Sequence, residues 1–454
     1  MRAALVGLTV LLAVGSAAAY PIDAWKDTGI ARLEAYRLAQ EGEVQGIVLY
    51  WGAQLYAQEI QLRLSARPPF HPPAPDPDFT QKLIEVLGDD ADGYGIAVID
   101  ISDPDAPLYA AHQPDRLQNP GSVGKIMVGL AWFQALADIY PDDVAARRKI
   151  LRETIVTADE FIKTDTHTVP FWTPGDPTYE RRPIEIGDTG NLNTWLDWML
   201  SSSSNAAAAE LQSQLLLVRH FGPEYPPSPE QAQAYFRDTS KAELTRQFLD
   251  AITTPATRNG LDLAKLRQGS FFSRTGKSRV PGTSSHASAG ELLRFMLLME
   301  QGKLVDPWSS RELKRFLYLT DKRIRYAANP ALWDFAVYFK SGSFYKCSRK
   351  PGTTCEKYAG DVFNYMNSVT MVENVDQKAK IHYIAVVLSN VQGKNSVNEH
   401  KALAGRVHRL ILTLHPEPES ESEEMGGGEG EPAPAPEDVS PAGPPSDAAT
   451  TSQR

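Results

Sequence analysis

Ser122 and Lys125 stand three residues apart, Ser203 and Asn205 two apart, and Lys340, Ser341, Gly342 and Ser343 follow one another directly. A free serine is a poor nucleophile, and an amine whose pKa is lowered by burial and neighbouring cations is a base that can take its proton. At a spacing of three on a helix the two side chains share a face, so the Lys125 amine reaches the Ser122 hydroxyl. The same spacing recurs at Ser343 and Lys346, so the pair alone carries little. What distinguishes Ser122 is its setting. Asn119-Pro120-Gly121 is a turn signature, and Ile126 to Phe133 is an apolar run long enough for a buried helix. The pair is therefore expected on the first turn of a helix, where a backbone N–H and a partial positive charge favour an oxyanion.

The second group follows a predicted helix from Asn191 to Leu200 and precedes another from Ala206 to Leu216. A short loop between them would set the Ser203 hydroxyl and the Asn205 amide beside the lysine. Ser203 would relay a proton to a leaving group, and Asn205 would hold a substrate amide and the lysine. The plainer alternative is a solvated run of four serines with Asn205 as a helix cap. The third group lies in a predicted strand, Phe335 to Tyr345, in which Trp333, Phe335, Val337 and Phe339 alternate with other residues. There Lys340 and Ser341 would bind a carboxylate, and the Ser343 N–H would pair with that of Ser122 as an oxyanion hole across Gly342. Taken alone, Lys340-Ser341-Gly342 reads as an ordinary strand end.

Together, in this order and at this separation, the three groups resemble the active-site signature of class A beta-lactamases and the related penicillin-binding DD-peptidases. The likeness covers residues 79–415. Gly93 to Ile101 and Leu108 to Gln113 read as a hairpin with Pro104 and Asp105 in its turn. Val362 to Val372 and Lys380 to Val391 read as two later strands, with helices at Ala289 to Gln301 and Ser396 to Leu414. The fold class implied is α/β (α+β): a five-stranded antiparallel sheet flanked by helices, with a helical subdomain and the nucleophile at their junction. The resemblance implies a serine hydrolase that forms an acyl-enzyme on a beta-lactam amide. Two alternatives stay open: a D-alanyl-D-alanine carboxypeptidase or transpeptidase, and a slowly deacylating penicillin-binding or sensor protein. The expected ligand is a small-molecule beta-lactam or a peptidoglycan peptide, bound by a monomer without cofactor or metal.

One departure from that family bears on rate. Class A enzymes carry a glutamate between the second and third groups that activates the deacylating water. The corresponding stretch here, Thr253 to Ala287, contains no glutamate; Asp262 is its one carboxylate. Glu243 lies upstream and would substitute only if the alignment slips. Without a positioned base, deacylation by water is expected to be slow. A further departure is the long interval between Ser122 and Ser203, in which Thr164 to Asp188 has a loop composition, either reshaping the rim of the site or lying as a surface excursion.

Composition bounds the rest. Met1-Arg2, an apolar stretch from Ala3 to Gly15 and Ala17-Ala18-Ala19 read as a signal peptide cleaved after Ala19, which places the mature protein in the periplasm or outside the cell, with no transmembrane anchor. The chain has 2 cysteines, Cys347 and Cys355, whose spacing around Pro351-Gly352 suits a hairpin disulfide in an oxidising compartment. Residues 20–78 form an extension with a predicted helix at Ile30 to Gln40 and a proline-rich linker at Pro68 to Pro77. From Pro416 to Arg454 ten acidic residues face one basic residue, so this tail, read as disordered, holds -9 of the net charge of -10. The nearly neutral remainder gives no support to nucleic-acid binding. The 9 histidines show no metal-ligand spacing.

Overall fold

The computed structural model describes residues 21–46, 49–163, 165–319, 323–348, 356–375 and 381–416. Its centre is one sheet. Strands β1 (Tyr94–Asp100) and β2 (Leu108–His112) form the expected hairpin, with Ile96 opposite His112 and Asp100 opposite Leu108. Strands β3 (Phe335–Lys346), β4 (Phe363–Asn374) and β5 (His382–Asn390) complete an antiparallel five-stranded sheet in the order β2-β1-β5-β4-β3. Both faces of this sheet are covered. The two-residue period of a strand sends Ile96, Val98, Ala385 and Val387 to one face, and Ala97, Ile99, Ile384, Val386 and Leu388 to the other. The first face receives Phe79, Leu83 and Leu87 of helix α2 (Pro77–Leu87), spaced by four, and Leu403, Val407 and Ile411 of the C-terminal helix α9 (Ser396–Leu414).

The second face meets the helical part. Helix α3 (Lys125–Ile139) is buried at every position from Lys125 to Ala137, as a core helix apolar on nearly every side must be. The stretch Gly121–Ile139 is long and apolar enough to cross a membrane, but 78% of it is buried in the fold. Around it stand α4 (Leu192–Leu200), α5 (Asn205–Phe221), α6 (Lys241–Arg258) and α8 (Pro307–Tyr318), while α7 (Ala289–Glu300) packs on the sheet and against α8. Helices α2, α6 and α8, with Val144–Glu153 and Pro229–Asp238, go beyond the expected set. Thr253 to Arg258, expected as loop, belong to the end of α6. There, burial of Ile252, Pro255 and Ala256 offsets the N–H that Pro255 lacks.

Two segments outside the motifs are built into this unit. The stretch expected as a loop from Thr164 to Asp188 contains a hairpin, Thr168–Phe171 paired with Glu180–Pro183. The Arg182 guanidinium lies 3.8 Å from the centre of the Phe171 ring. The N-terminal extension, whose helix α1 (Ala31–Gln40) is found where expected, packs on the helical part through Arg32. Its guanidinium donates to Asp197 at 2.6 and 2.5 Å, to Ser201 Oγ at 3.1 Å and to the Leu319 carbonyl at 2.8 Å. Further on, Gly52 lies against the start of β3, where a β-carbon would meet the Phe335 carbonyl oxygen at 2.0 Å. The proposed leader, Cys355 and the acidic tail beyond Pro416 lie outside the described residues. Cys347, just after β3, is not free.

Candidate active site

Ser122 lies on a 3-10 turn, Gly121–Gly124, and Lys125 opens α3 directly after it, so the pair spans the junction and not the first α-helical turn. Lys125 is fully buried. Its Nζ is 2.9 Å from Ser122 Oγ, 2.6 Å from the Ser203 carbonyl oxygen and 2.8 Å from Asn205 Oδ1. A neutral amine has two N–H groups and one lone pair. The carbonyl and the amide oxygen can only accept, so they take the two N–H groups and the lone pair is left for the Ser122 hydroxyl. Burial pushes Lys125 down to about 7, with Asp165 acting upward and Arg325 further downward. The motif spacing therefore becomes a contact between a hydroxyl and a buried amine whose neutral form is favoured by its surroundings.

Ser203 is a non-glycine residue at φ 63°. That left-handed conformation costs about 1–2 kcal/mol, and it turns the Ser203 carbonyl to Lys125. The Ser203 hydroxyl meanwhile accepts from Lys340 Nζ at 2.8 Å, so one residue bridges the two lysines. The helix cap is Ser204, whose Oγ accepts from the Ala207 N–H at 3.1 Å, and not Asn205. This frees the Asn205 amide to face Lys125. Lys340 is buried in β3, also donates to the Ser341 carbonyl at 2.9 Å, and is held well below the ordinary lysine range by burial, Lys125 and Arg325.

Gly342 joins the strand to the turn. A β-carbon there would stand 2.3 Å from the Pro120 carbonyl oxygen and 2.5 Å from the Ser122 nitrogen. On the other side, a β-carbon at Gly121, whose φ is 53°, would meet the Ser343 nitrogen at 3.0 Å. Ser341 and Ser343 both point to a residue the motifs do not contain. Arg325 donates to Ser341 Oγ at 2.8 Å and to Ser343 Oγ at 3.1 Å, and its guanidinium lies 5.4 Å from the Tyr358 ring. Ser122, Lys125, Ser203, Asn205, Lys340, Ser341, Gly342 and Ser343 are thus brought together, and Arg325 joins them.

The stretch after α6 does run beneath the site. Leu266–Arg267 pairs with His286–Ala287, and Ala287 bridges to Gln118. A β-carbon on Gly124 would stand 2.1 Å from Gln268 Oε1, and the Phe272 ring centre is 4.9 Å from Lys125 Nζ. Gln212 of α5 fastens this segment, accepting from the Phe272 N–H at 3.0 Å and donating to the Ser270 carbonyl at 3.2 Å. What the segment turns to the lysine is therefore an aromatic ring, with the Gln268 amide against the neighbouring Gly124. Asp262 is used locally, accepting from the Ala264 N–H at 2.8 Å. Glu243, considered as a substitute base, is clamped on α6 by Arg246 at 2.9 and 2.5 Å and by Gln247 at 2.7 Å. The Arg246 hydrogen bonds pull its carboxyl down to about 2, which suits a surface ion pair and not a base.

Among the described residues, one other cluster has ligand-type side chains. Glu300, Glu373 and His382 are buried with their ligand atoms within 4.8 Å of one another. Lys314 stands among them, with its Nζ bonded to Glu373 and 2.8 Å from Glu300, so an ammonium supplies the positive charge these carboxylates need.

No protein-family model matches the chain, and no curated protein matches it in sequence. Among solved structures it is similar to a beta-lactamase from Chitinophaga pinensis, at 15% identity and a TM-score of 0.45, over 74% of this chain and 99% of that one. It is likewise similar to a beta-lactamase from Sphaerobacter thermophilus, at 14% identity and a TM-score of 0.46, over 74% and 96%. The third is PBP-A, at 12% identity and a TM-score of 0.45, over 76% of this chain and 100% of that one.

Proposed function

We propose that this chain is a serine hydrolase of the beta-lactamase and penicillin-binding type, which forms an acyl-enzyme on Ser122 with a beta-lactam or D-alanyl amide. The observation that carries this reading is the Lys125 amine, buried, 2.9 Å from Ser122 Oγ and with its N–H groups taken by Ser203 and Asn205. In acylation the Ser122 oxygen bonds to the amide carbon and Lys125 takes the hydroxyl proton. The oxyanion forms between the N–H groups of Ser122 and Ser343. As the carbon–nitrogen bond breaks, the proton reaches the leaving nitrogen through the Ser203 hydroxyl. Lys340, Arg325, Ser341 and Ser343 form a cationic, hydroxyl-lined wall that suits a substrate carboxylate. Asn205 orients the substrate amide.

Slow release follows from the same site. Hydrolysis of the ester needs a base on water, and the segment beneath Lys125 offers Phe272 and Gln268. The penicillin-binding reading, in which the acyl-enzyme persists, is therefore favoured over rapid beta-lactam turnover. Export through the leader at residues 1–19 and a Cys347–Cys355 crosslink after β3 belong to this proposal, and non-reducing mass spectrometry of the mature protein tests both. The function itself is tested by intact-protein mass spectrometry after incubation with a penicillin. A persistent adduct of one penicillin supports the reading, and an unmodified protein at every time point refutes it.

A further inference from the structure

Asp165 reaches the site from the segment between the first two motifs. Its side chain is 5% exposed. One carboxylate oxygen accepts from the Ser204 hydroxyl at 2.9 Å and from the Ala206 N–H at 2.8 Å, while the other accepts from His167 Nδ1 at 2.6 Å. Ser204 and Ala206 flank Asn205, so this carboxylate is fastened to the loop that presents Ser203 and Asn205 to Lys125. Burial alone would raise its pKa. His167, the Ala206 N–H and Lys125 outweigh that and hold it well below the usual carboxylate range. It is therefore an anion among ionisable groups that include His167, Lys125, Lys340 and Arg325.

We propose, resting on the reading of Lys125 as the base, that Asp165 is a positioning residue that fixes the Ser203–Asn205 loop and sets the pH at which Lys125 can accept the Ser122 proton. The groups in contact with Lys125 are Ser122, the Ser203 carbonyl, Asn205 and the Phe272 ring, and the charges that act on it from farther off are Asp165, which favours its ammonium form, and Arg325 and Lys340, which oppose it. Those bonded to Asp165 are Ser204, the Ala206 N–H and His167, with Lys125 acting on it through charge. Asp165 is the one negative charge among those acting on Lys125. It favours the ammonium form of Lys125, so it opposes the burial that frees the base. Removing its charge lowers the Lys125 pKa further and makes the base available at lower pH.

The experiment compares the parent with Asp165→Asn and Asp165→Ala. Lysine labelled with carbon-13 at Cε reports the Lys125 titration by NMR, assigned by the signal lost in Lys125→Arg, and a fluorescent penicillin reports acylation against pH. In Asp165→Asn, which keeps an acceptor for the Ala206 N–H, the Lys125 midpoint should fall by about 1 pH unit and the acid limb of acylation should move with it. Asp165→Ala should show the same shift and also lose about 10- to 100-fold of the plateau rate, because the loop loses its anchor. A Lys125 midpoint unchanged in both variants overturns the proposal whatever the plateau does. If the parent takes no penicillin, the functional reading fails while the NMR titration still decides the role of Asp165.

Discussion

Gly342 faces the backbone of Ser122 so closely that a β-carbon on it would stand 2.5 Å from the Ser122 nitrogen. The atoms it would strike, Pro120 O, Ser122 N and Val123 N, are all backbone, so no side-chain movement relieves the clash. Gly342→Ala should force β3 and the Ser122 turn apart and spoil the pairing of the Ser122 and Ser343 N–H groups. Loss of one oxyanion donor costs about 10²- to 10³-fold, so acylation by a fluorescent penicillin should fall by at least that factor. A variant that acylates at the parent rate would show that the turn and strand do not form the oxyanion site.

The pH dependence of acylation tests the buried amine. Lys125 acts as base only when neutral, and burial places its midpoint at about 7. The acylation rate should rise with pH through that value, about tenfold per unit on the acid side, and then level off. An ordinary lysine would put the rise near 10.5. Lys125→Ala should lose about 10²- to 10⁴-fold at the plateau. A rate flat from pH 5 to 9 would remove Lys125 from the role.

The sheet and the three motifs were legible because they depend on local pattern. Alternation along Phe335 to Tyr345 gives β3, the runs between turn residues that match the family's order give β1, β4 and β5 to within a residue or two, and a turn signature before an apolar run locates Ser122. Arg325 was not legible. It belongs to the run Lys322-Arg323-Ile324-Arg325, which resembles solvated charge, and its φ of 54° leaves no mark in sequence. Asp165 was hidden for another reason: it meets Ser204 across 39 residues, through a segment whose prolines and glycine read as loop. Arg32 meets Asp197 across 165 residues, a pairing that only the packed core specifies.

Arg325 should act on substrates that carry a carboxylate. It donates to the hydroxyls of Ser341 and Ser343 on the strand that carries Lys340, and in the proposed function its charge orients the substrate anion. Arg325→Ala should raise the penicillin concentration needed for half-maximal acylation by about 10- to 100-fold, the value of a charge-assisted contact. The methyl ester of the same penicillin, already lacking the charge, should lose little. Equal losses for acid and ester would assign Arg325 a structural role instead.

The N-terminal extension should be required for stability. Arg32 and Asp197 are 3% and 0% exposed, and Asp197 lies on α4 just before the Ser203 loop. Arg32→Ala leaves a carboxylate buried without its partner, at a cost of about 3–5 kcal/mol in chemical denaturation. The double variant Arg32→Met with Asp197→Leu should recover much of that, because it buries no charge. A single variant within about 0.5 kcal/mol of the parent would mean that the pair is solvated in solution.

Acylation and release should come apart in time. In the proposed reaction Ser122, Lys125 and the backbone of β3 supply what bond formation needs, whereas the segment beneath the site offers Phe272 and Gln268 where water would require a carboxylate. Absence of a positioned base slows such a step by about 10²- to 10⁴-fold, so a chromogenic cephalosporin should give a burst of one equivalent and then slow turnover. Glu243 is held ionised by Arg246 on α6, so Glu243→Gln should leave both phases unchanged. Rapid turnover without a burst would contradict slow release, and a slow phase abolished in Glu243→Gln would make that glutamate the deacylating base after all. If both phases are unaffected, replacing Phe272 by Glu asks the converse question: a carboxylate set beside Lys125 should speed the slow phase while the burst keeps its size.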